Sequence, residues 1–384
     1  MKITRTSRVW PAVIGAAALS FTVGACVQRT SNSLDKPAQA QVTIRNADDL
    51  AALSSTYAQI SRKVTPAVVN IQSESVIPGR VYRDPMADAF GNNFGGRVLR
   101  EPDQRAQSLG SGVIIDESGL IVTNNHVIKN ATRITVTLTD RRRFTAKLLG
   151  TDADADIAML KIEGQNLPTL KWADSDKINV GDIVLAVGSP FNLSSTVTQG
   201  IISAKGRSDL GISAYEDFLQ TDAAINPGNS GGALVDINGD LVGINTAILS
   251  GSGGNQGIGL AIPANLARSI GAQLASTGRV TRGWLGVTVQ PITGDIADQL
   301  GLRDGVLVTG VYPQSPAGQV PWSQRGTEVI TKVNGKTIDS PGELRNLVAN
   351  AKPGAALSVE VWSDGKTRSY DLNAGTRPAR AQGV

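Results

Sequence analysis

The sequence predicts a mostly β protein, with two antiparallel barrels in succession followed by one smaller α+β unit. Three observations carry this. Glycine supplies 42 of the 384 residues while aromatic residues make up only 4%, a balance that suits many turns and short strands. Short segments of β-branched and apolar residues recur in two sets with turn residues between them. A third set surrounds a single helix with a clear start and stop. At about 150 residues per domain the length allows two to three domains, and a hydrophobic content of 41% supports their cores.

The N-terminus reads as an address. Lys2, Arg5 and Arg8 precede an apolar run of 17 residues, Val9 to Ala25, that closes on Val23-Gly24-Ala25-Cys26. This is the layout of an export signal, and the run falls short of the ~20 residues a spanning helix needs. The closing tetrapeptide resembles a bacterial lipobox, which would make Cys26 a lipidated mature N-terminus. Cleavage after Ala25 without lipid, or an uncleaved anchor, remain open beside it. All three place the body of the chain outside the cytoplasm. Residues 1–26 are therefore assigned to the signal and 27–46 to a polar linker.

In the body, Leu50, Leu53, Tyr57 and Ile60 have helical spacing over residues 47–63, stopped by Pro66. The first strand set covers 67–72, 111–116, 120–125, 133–138 and 144–150. Val76 to Gln107 shows no periodicity and is read as a long, flexible, functional loop. The second set runs from Asp182 to Pro263, with Asn238-Gly239 read as a two-residue hairpin turn requiring positive φ. A helix from Ala264 to Thr277 stops at Gly278 and closes a domain spanning 47–278. The last unit, 282–376, carries hairpin turns at Asn334-Gly335 and Asp364-Gly365. Its helix, over 341–351, opens with Ser340-Pro341-Gly342-Glu343, a capping box. Residues 377–384 are read as a disordered tail.

Composition excludes several functions. One histidine and one cysteine leave no His/Cys cluster for a structural zinc and no disulfide within the chain. No cofactor is expected. The net charge of +4 belongs mostly to the signal; without Lys2, Arg5 and Arg8 the chain has 34 basic and 33 acidic residues. Arg141-Arg142-Arg143, the one dense basic run, has no interleaved aromatics and reads as a solvated hairpin tip, so nucleic acid is not an expected partner.

Gly228-Asn229-Ser230-Gly231-Gly232 is the strongest chemical signal. A serine between glycines can sit on a tight turn whose backbone N–H groups converge on one point, as stabilising an oxyanion requires. The single histidine, His126, follows an apolar strand and could supply the base. Asp156, which opens another apolar strand, could orient it better than Asp152 or Asp154 in the turn before. The order His, Asp, Ser is the chymotrypsin arrangement, and it fits two barrels that contribute His and Asp from one and Ser from the other.

With Ser111-Gly112-Val113, Thr123-Asn124-Asn125-His126-Val127, Asp156-Ile157-Ala158 and the run Thr221 to Gly232, the chain resembles the HtrA (DegP/DegQ/DegS) serine proteases over about Tyr57 to Ala374. The resemblance implies a chymotrypsin-like double β-barrel with one PDZ domain. It implies Ser230 as nucleophile, His126 as general base and Asp156 as its orienter. The N–H groups of Gly228 and Ser230 would form the oxyanion hole. Trypsins have Asp just before the nucleophile and another six residues before it; here these are Asn229 and Ala224. Activation by zymogen cleavage is therefore not expected, and Ala224, with Ile258 and Leu260, suggests a pocket for small or medium apolar residues. Gly283-Trp284-Leu285-Gly286-Val287 resembles the PDZ loop that binds a peptide C-terminus, with the groove between the following strand and the 341–351 helix. The turn at Val320 to Glu328 departs from the family pattern.

The expected function is that of an exported, ATP-independent serine endopeptidase acting on misfolded or unfolded envelope proteins. The resemblance further implies a homotrimer or multiple of trimers with Tyr57 at the contact. It also implies a sensor loop over 206–217, Arg207 included, between the PDZ domain and the oxyanion loop. A regulatory protease that cuts one substrate under PDZ control, and a holdase chaperone or peptide-binding module, are the alternatives.

Overall fold

The computed structural model describes residues 47–79, 81–83, 98–100, 103–190, 195–249, 254–292, 294–302, 304–321 and 328–378. The signal, Cys26, the linker, residues 322–327 of the altered PDZ turn and the tail from residue 379 lie outside them. Helix α1 (Ala47–Val64) places Asp48 and Asp49 in its first turn and Arg62 and Lys63 in its last, complementing the helix dipole. Ile60 and Val64 are buried in the barrel core, Tyr57 is half-buried against that core, and Leu53 is exposed.

The first sheet draws on β1 (Val68–Ile77), β4 (Gln104–Asp116), β5 (Leu120–Thr123), β6 (Arg133–Thr137), β7 (Arg143–Thr145), β8 (Lys147–Asp152) and β9 (Ile157–Lys161). Between β1 and β4 lies a separate hairpin, β2 (Val81–Arg83) with β3 (Val98–Arg100). The sheet order is β7-β6-β1-β4-β5-β9-β8. Its two edge strands are consecutive in the chain, separated only by Ala146, whose N–H donates to Ile134 O at 2.9 Å. The segment 144–150, read from sequence as one strand, is thus two strands that turn a corner and bring the ends of the sheet together. The expected loop from Val76 to Gln107 is also shorter: β1 and β4 remain paired out to Ile77 and Gln104. Beyond Ser73 and before Gly110 both strands are largely solvent-exposed, so no hydrophobic alternation marks them there.

The second barrel is closed, in the order β10-β11-β12-β15-β14-β13. Its strands are β10 (Ile183–Gly188), β11 (Thr196–Arg207), β12 (Phe218–Thr221), β13 (Ala233–Val235), β14 (Leu241–Ile248) and β15 (Gly259–Pro263). The Asn238-Gly239 turn differs from expectation. Asp236 O accepts from Gly239 N at 3.0 Å, so the turn runs from Asp236 to Gly239 and only Gly239 has positive φ, +74°. The Asp236 carboxylate binds the N–H groups of Asn238 and Asp240, both at 2.9 Å, and this local side-chain bonding favours the longer loop. Asn334-Gly335 and Asp364-Gly365 do have positive φ at both residues, as type I′ hairpins require.

After the second barrel, α3 (Ala264–Thr277) ends at Gly278, whose φ of +74° closes it and whose N–H bonds Leu274 O. The last unit contains β16 (Gly283–Trp284), β17 (Val287–Pro291), α4 (Gly294–Leu300), β18 (Val306–Val311), β19 (Val329–Val333), β20 (Lys336–Thr337), α5 (Pro341–Asn350), β21 (Ala356–Ser363), β22 (Lys366–Asn373) and β23 (Gly375–Thr376). Strand β17 is an edge of the main sheet. Ser340 Oγ accepts from Glu343 N at 3.1 Å, while the Glu343 carboxylate reaches Asp339 N, one residue further back than in a standard capping box.

Both ends of this unit are tied to the turn between β8 and β9. The Arg282 guanidinium forms a two-pronged pair with the Asp152 carboxylate, with side chains only 10% and 8% exposed. Arg377 pairs with Asp154 at 3.1 Å. Both guanidiniums also lie over the Tyr215 ring, at 4.3 and 5.1 Å from its centre. Burial pushes the Tyr215 hydroxyl above its usual pKa, against the opposing effect of the two arginines. Removing one partner of a buried pair strands the other charge. Arg282→Met should therefore lower unfolding free energy by about 3 kcal/mol in urea titrations, and adding Asp152→Asn should recover most of the loss.

Candidate active site

The centre is assembled at the seam of the two barrels. Strand β5 delivers Asn124 and the short helix α2 (Asn125–Ile128), which carries His126 in its first turn. Asp156 ends the β8–β9 turn with φ +55°, a left-handed conformation that Asp tolerates better than most residues. In that conformation its carbonyl accepts from Asn125 N at 3.2 Å and Asn124 Nδ2 at 3.0 Å. Its carboxylate accepts three further bonds: from His126 N at 2.9 Å, from His126 Nδ1 at 2.7 Å and from Thr246 Oγ1 at 2.8 Å. A carboxylate can only accept, so Nδ1 carries the ring proton and the neutral imidazole keeps its basic lone pair on Nε2.

Ser230 comes from the second barrel, between β12 and β13. Its Oγ donates to Thr246 O at 3.2 Å, a long bond. The four residues before it form a turn in which Asn229 N donates to Asn226 O at 2.9 Å. Pro227 occupies the second position and Gly228, with φ +96°, the third, which makes it a type II turn. Among the described residues, the N–H groups of Gly228 and Ser230 donate to no protein acceptor, and both residues line the same cleft as His126. Gly231 has φ +82°, and a Cβ there would sit 2.2 Å from Ser111 O, so only glycine fits.

The cleft has a volume of about 370 Å³. Its apolar walls are Leu109, Ile225, Ala247 and Ile248. The expected pocket residues are placed differently. Leu260 is fully buried in the core shared by the barrels, because its side of β15 faces inward. Ala224 and Ile258 are half-buried and lie outside the cleft lining. Ile225, one residue on from Ala224, takes the wall position.

A second concavity, of about 600 Å³, lies in the last unit between β17 and α5. It is lined by the whole stretch Gly283, Trp284, Leu285, Gly286 and Val287, with Tyr312, Leu344, Arg345 and Val348 opposite. Gly286 has φ +84°, and a Cβ there would meet Ser315 Cβ at 2.0 Å. Tyr215, from the barrel side, lines this groove as well. The loop that bears it is shaped by the buried Glu216, whose carboxylate accepts from Leu210 N, Ile212 N and Ser213 N. Helix α5 grips the same loop: Arg345 donates to Ala214 O at 2.8 Å, Asn346 to Glu216 O, and Gly342 N to Asp209 at 3.3 Å. Arg207 is not among these contacts. It remains on β11 and its Nε donates to Gln220 Oε1 at 2.8 Å.

Comparison with known proteins agrees with this geometry. Residues 110–244 match the trypsin-like peptidase domain and 283–373 the PDZ domain. A probable periplasmic DegP-like serine endoprotease of Chlamydia trachomatis is 43% identical over 339 residues, covering 83% of this chain and 68% of the relative. The chain belongs to the HtrA-type serine endoproteases. A DegP-like relative from Pseudomonas putida is 42% identical over 84% of this chain and 70% of its own. Among solved structures, the HtrA-type protease AlgW with a decapeptide is 43% identical, with a TM-score of 0.68 over 84% of this chain and 99% of its own. This HtrA protein is a periplasmic serine endopeptidase of mostly β fold.

Three residues escaped the sequence reading. Thr246 left only the trace of a hydroxyl within the apolar strand β14, while Tyr215 and Arg345 carry no motif at all. Thr246→Val should lower kcat about tenfold, the value of a bond to a charged group, with KM little changed in peptide hydrolysis. Leu260→Ala should cost about 2–5 kcal/mol of stability, as for other core truncations, and leave the cleavage-site preference unaltered in digests.

Proposed function

We propose that this HtrA protein degrades misfolded or unfolded envelope proteins through an acyl-enzyme, cutting after small or medium apolar residues. The observation that carries the reading is the three-donor cradle of Asp156, with its 2.7 Å bond to His126, facing Ser230 across one apolar-walled cleft. In the proposed reaction Ser230 Oγ leaves Thr246 O, gives its proton to His126 Nε2 and attacks the scissile carbonyl carbon. The resulting oxyanion accepts from Gly228 N–H and Ser230 N–H, each such donor contributing about 3–4 kcal/mol. The tetrahedral intermediate collapses as His126 returns the proton to the departing amine. Water, deprotonated by the same histidine, then releases the acyl group. Asp156 fixes the ring's tautomer and stabilises the imidazolium. Ile225 and Ile248 favour an apolar side chain before the cut; neither wall residue offers a charge to Lys or Arg.

Peptide C-termini are proposed to bind the 283–287 loop and to add a strand along β17. The protease would then work as a trimer or multiple of trimers, with Tyr57 at the contact and a membrane attachment through Cys26 or the uncleaved signal. A regulatory reading, in which one substrate is cut under PDZ control, is favoured by Tyr215 and Arg345. Together these two residues join the groove directly to the proposed sensor loop over 206–217, Arg207 included.

With a permanently unfolded protein as substrate, cleavage should follow Val, Ala or Ile, and Ser230→Ala should reduce kcat/KM by at least about 10⁴-fold. Mass spectrometry of the fragments reads both. Cuts confined to one sequence, and only when an apolar C-terminal peptide is added, would replace degradation with the regulatory reading. Binding without any Ser230-dependent cleavage would leave a holdase.

A further inference from the structure

Residues 222–226 follow β12 and belong to no strand, so their course is fixed by side chains. Thr198 Oγ1, on β11, donates to Ala224 O at 2.8 Å. Asn255, in the segment between β14 and β15, donates through Nδ2 to Ile225 O at 3.2 Å, and its backbone N–H reaches Asn226 Oδ1 at 3.3 Å. The Asn255 Oδ1 accepts from Gly257 N at 2.7 Å, so each end of the amide has its own partner. Among the described residues no backbone N–H donates to the carbonyl of Ala224 or Ile225. The Ile225 side chain ends in a notch left by Gly259, where a Cβ would lie 2.8 Å from Ile225 Cδ1.

The two held carbonyls belong to different peptide planes. Ala224 O lies in the plane before the Ile225 Cα, and Ile225 O in the plane after it. Two rigid planes joined at one Cα have only φ and ψ between them. Bonds that orient both planes therefore fix those angles, and with them the direction of the Ile225 Cα–Cβ bond. Because isoleucine is β-branched and stiff at χ1, the backbone then decides where the side chain stands. That side chain is 1% exposed and forms a wall of the cleft that holds Ser230. We infer that Asn255 is a specificity-determining positioning residue: with Thr198 it fixes the two planes around Ile225, and so sets how far this wall stands into the cleft and which apolar side chain fits before the cut. This rests on Ile225 facing the residue before the cut.

The test uses the purified protein and peptide substrates that differ only in having Ala, Val or Leu before the cut. Asn255→Asp keeps the acceptor for Gly257 N and the backbone N–H toward Asn226, and removes the donor to Ile225 O. Thr198→Val, nearly the same size, removes the donor to Ala224 O. Either change frees one plane, so the wall yields to a longer side chain. The ratio of kcat/KM for Val to that for Leu should fall about fivefold in each variant, the worth of one hydrogen bond. With Ala, too short to press on the wall, kcat/KM should stay within about twofold. Asn255→Ala, which introduces no charge, should give the same shift, and Thr198→Val serves if neither Asn255 variant folds. An unchanged Val-to-Leu ratio in folded variants, or an equal loss on all three substrates, would overturn the inference. Ile225→Val shortens the wall itself. If it lowers the ratio while the Asn255 and Thr198 variants do not, the positioning role fails alone; if it too leaves the ratio unchanged, the assignment of Ile225 as the wall fails.

Discussion

The active centre depends on one carboxylate that is bonded from both barrels. Asp156 accepts from His126 twice, through backbone and ring, and from Thr246 across the seam. The first barrel could orient its histidine alone, but it could not place that histidine against a serine belonging to the second. The Thr246 bond supplies that relation. Thr246 also returns to the chemistry through its carbonyl, which accepts from Ser230 Oγ. One residue of β14 thus touches both Asp156 and Ser230, so a shift between barrels would disturb the two together. The Asp156 side chain is only 16% exposed there, which strengthens its bonds relative to open water.

The turn that ends in Asp156 is also where the PDZ unit is anchored. Asp152 and Asp154, four and two residues before it, hold Arg282 at the start of that unit and Arg377 at its end. Tyr215 lies beneath both arginines and its N–H bonds Asp154 O at 2.9 Å. The same aromatic ring forms part of the peptide groove. Bonds therefore run without a gap from the groove, through the 208–217 loop, to the turn that carries Asp156. This continuity is a physical route, and it gives the PDZ-controlled reading its structural footing.

Much of this was legible in the sequence, and the reason is chemical. A chain with one histidine has one place to put an imidazole base, and glycines around a serine are demanded by the positive φ values of Gly228 and Gly231. Helix ends were legible because Gly278 and Ser340 act through their own side chain or its absence. What could not be read depends on neighbours distant in the chain. Thr246 acts on a residue 90 positions away, and Arg345 on one 131 positions away; neither belongs to a local pattern. The wall of the cleft was placed one residue early because Ala224 and Ile225 lie in the irregular segment between β12 and β13, where no periodic pattern marks which side chain faces it. The outer ends of β1 and β4 were missed because an exposed hairpin arm needs no apolar alternation.

Asn229, the residue before Ser230, stands where trypsins carry an aspartate. Asn229 is buried, 2% exposed, and the backbone at Gly188 approaches so closely that a Cβ there would lie 2.3 Å from Asn229 Oδ1. A buried aspartate at this position would need a cation beside it, which in trypsins is the new N-terminus released by cleavage. A neutral amide has no such requirement, and Gly188 occupies the space with backbone. The catalytic loop is instead held from the side, by bonds from Ser111 to the carbonyls of Gly228 and Ser230. Those bonds exist as soon as the barrels pack. The positions of these two carbonyls therefore follow from the packing of the barrels.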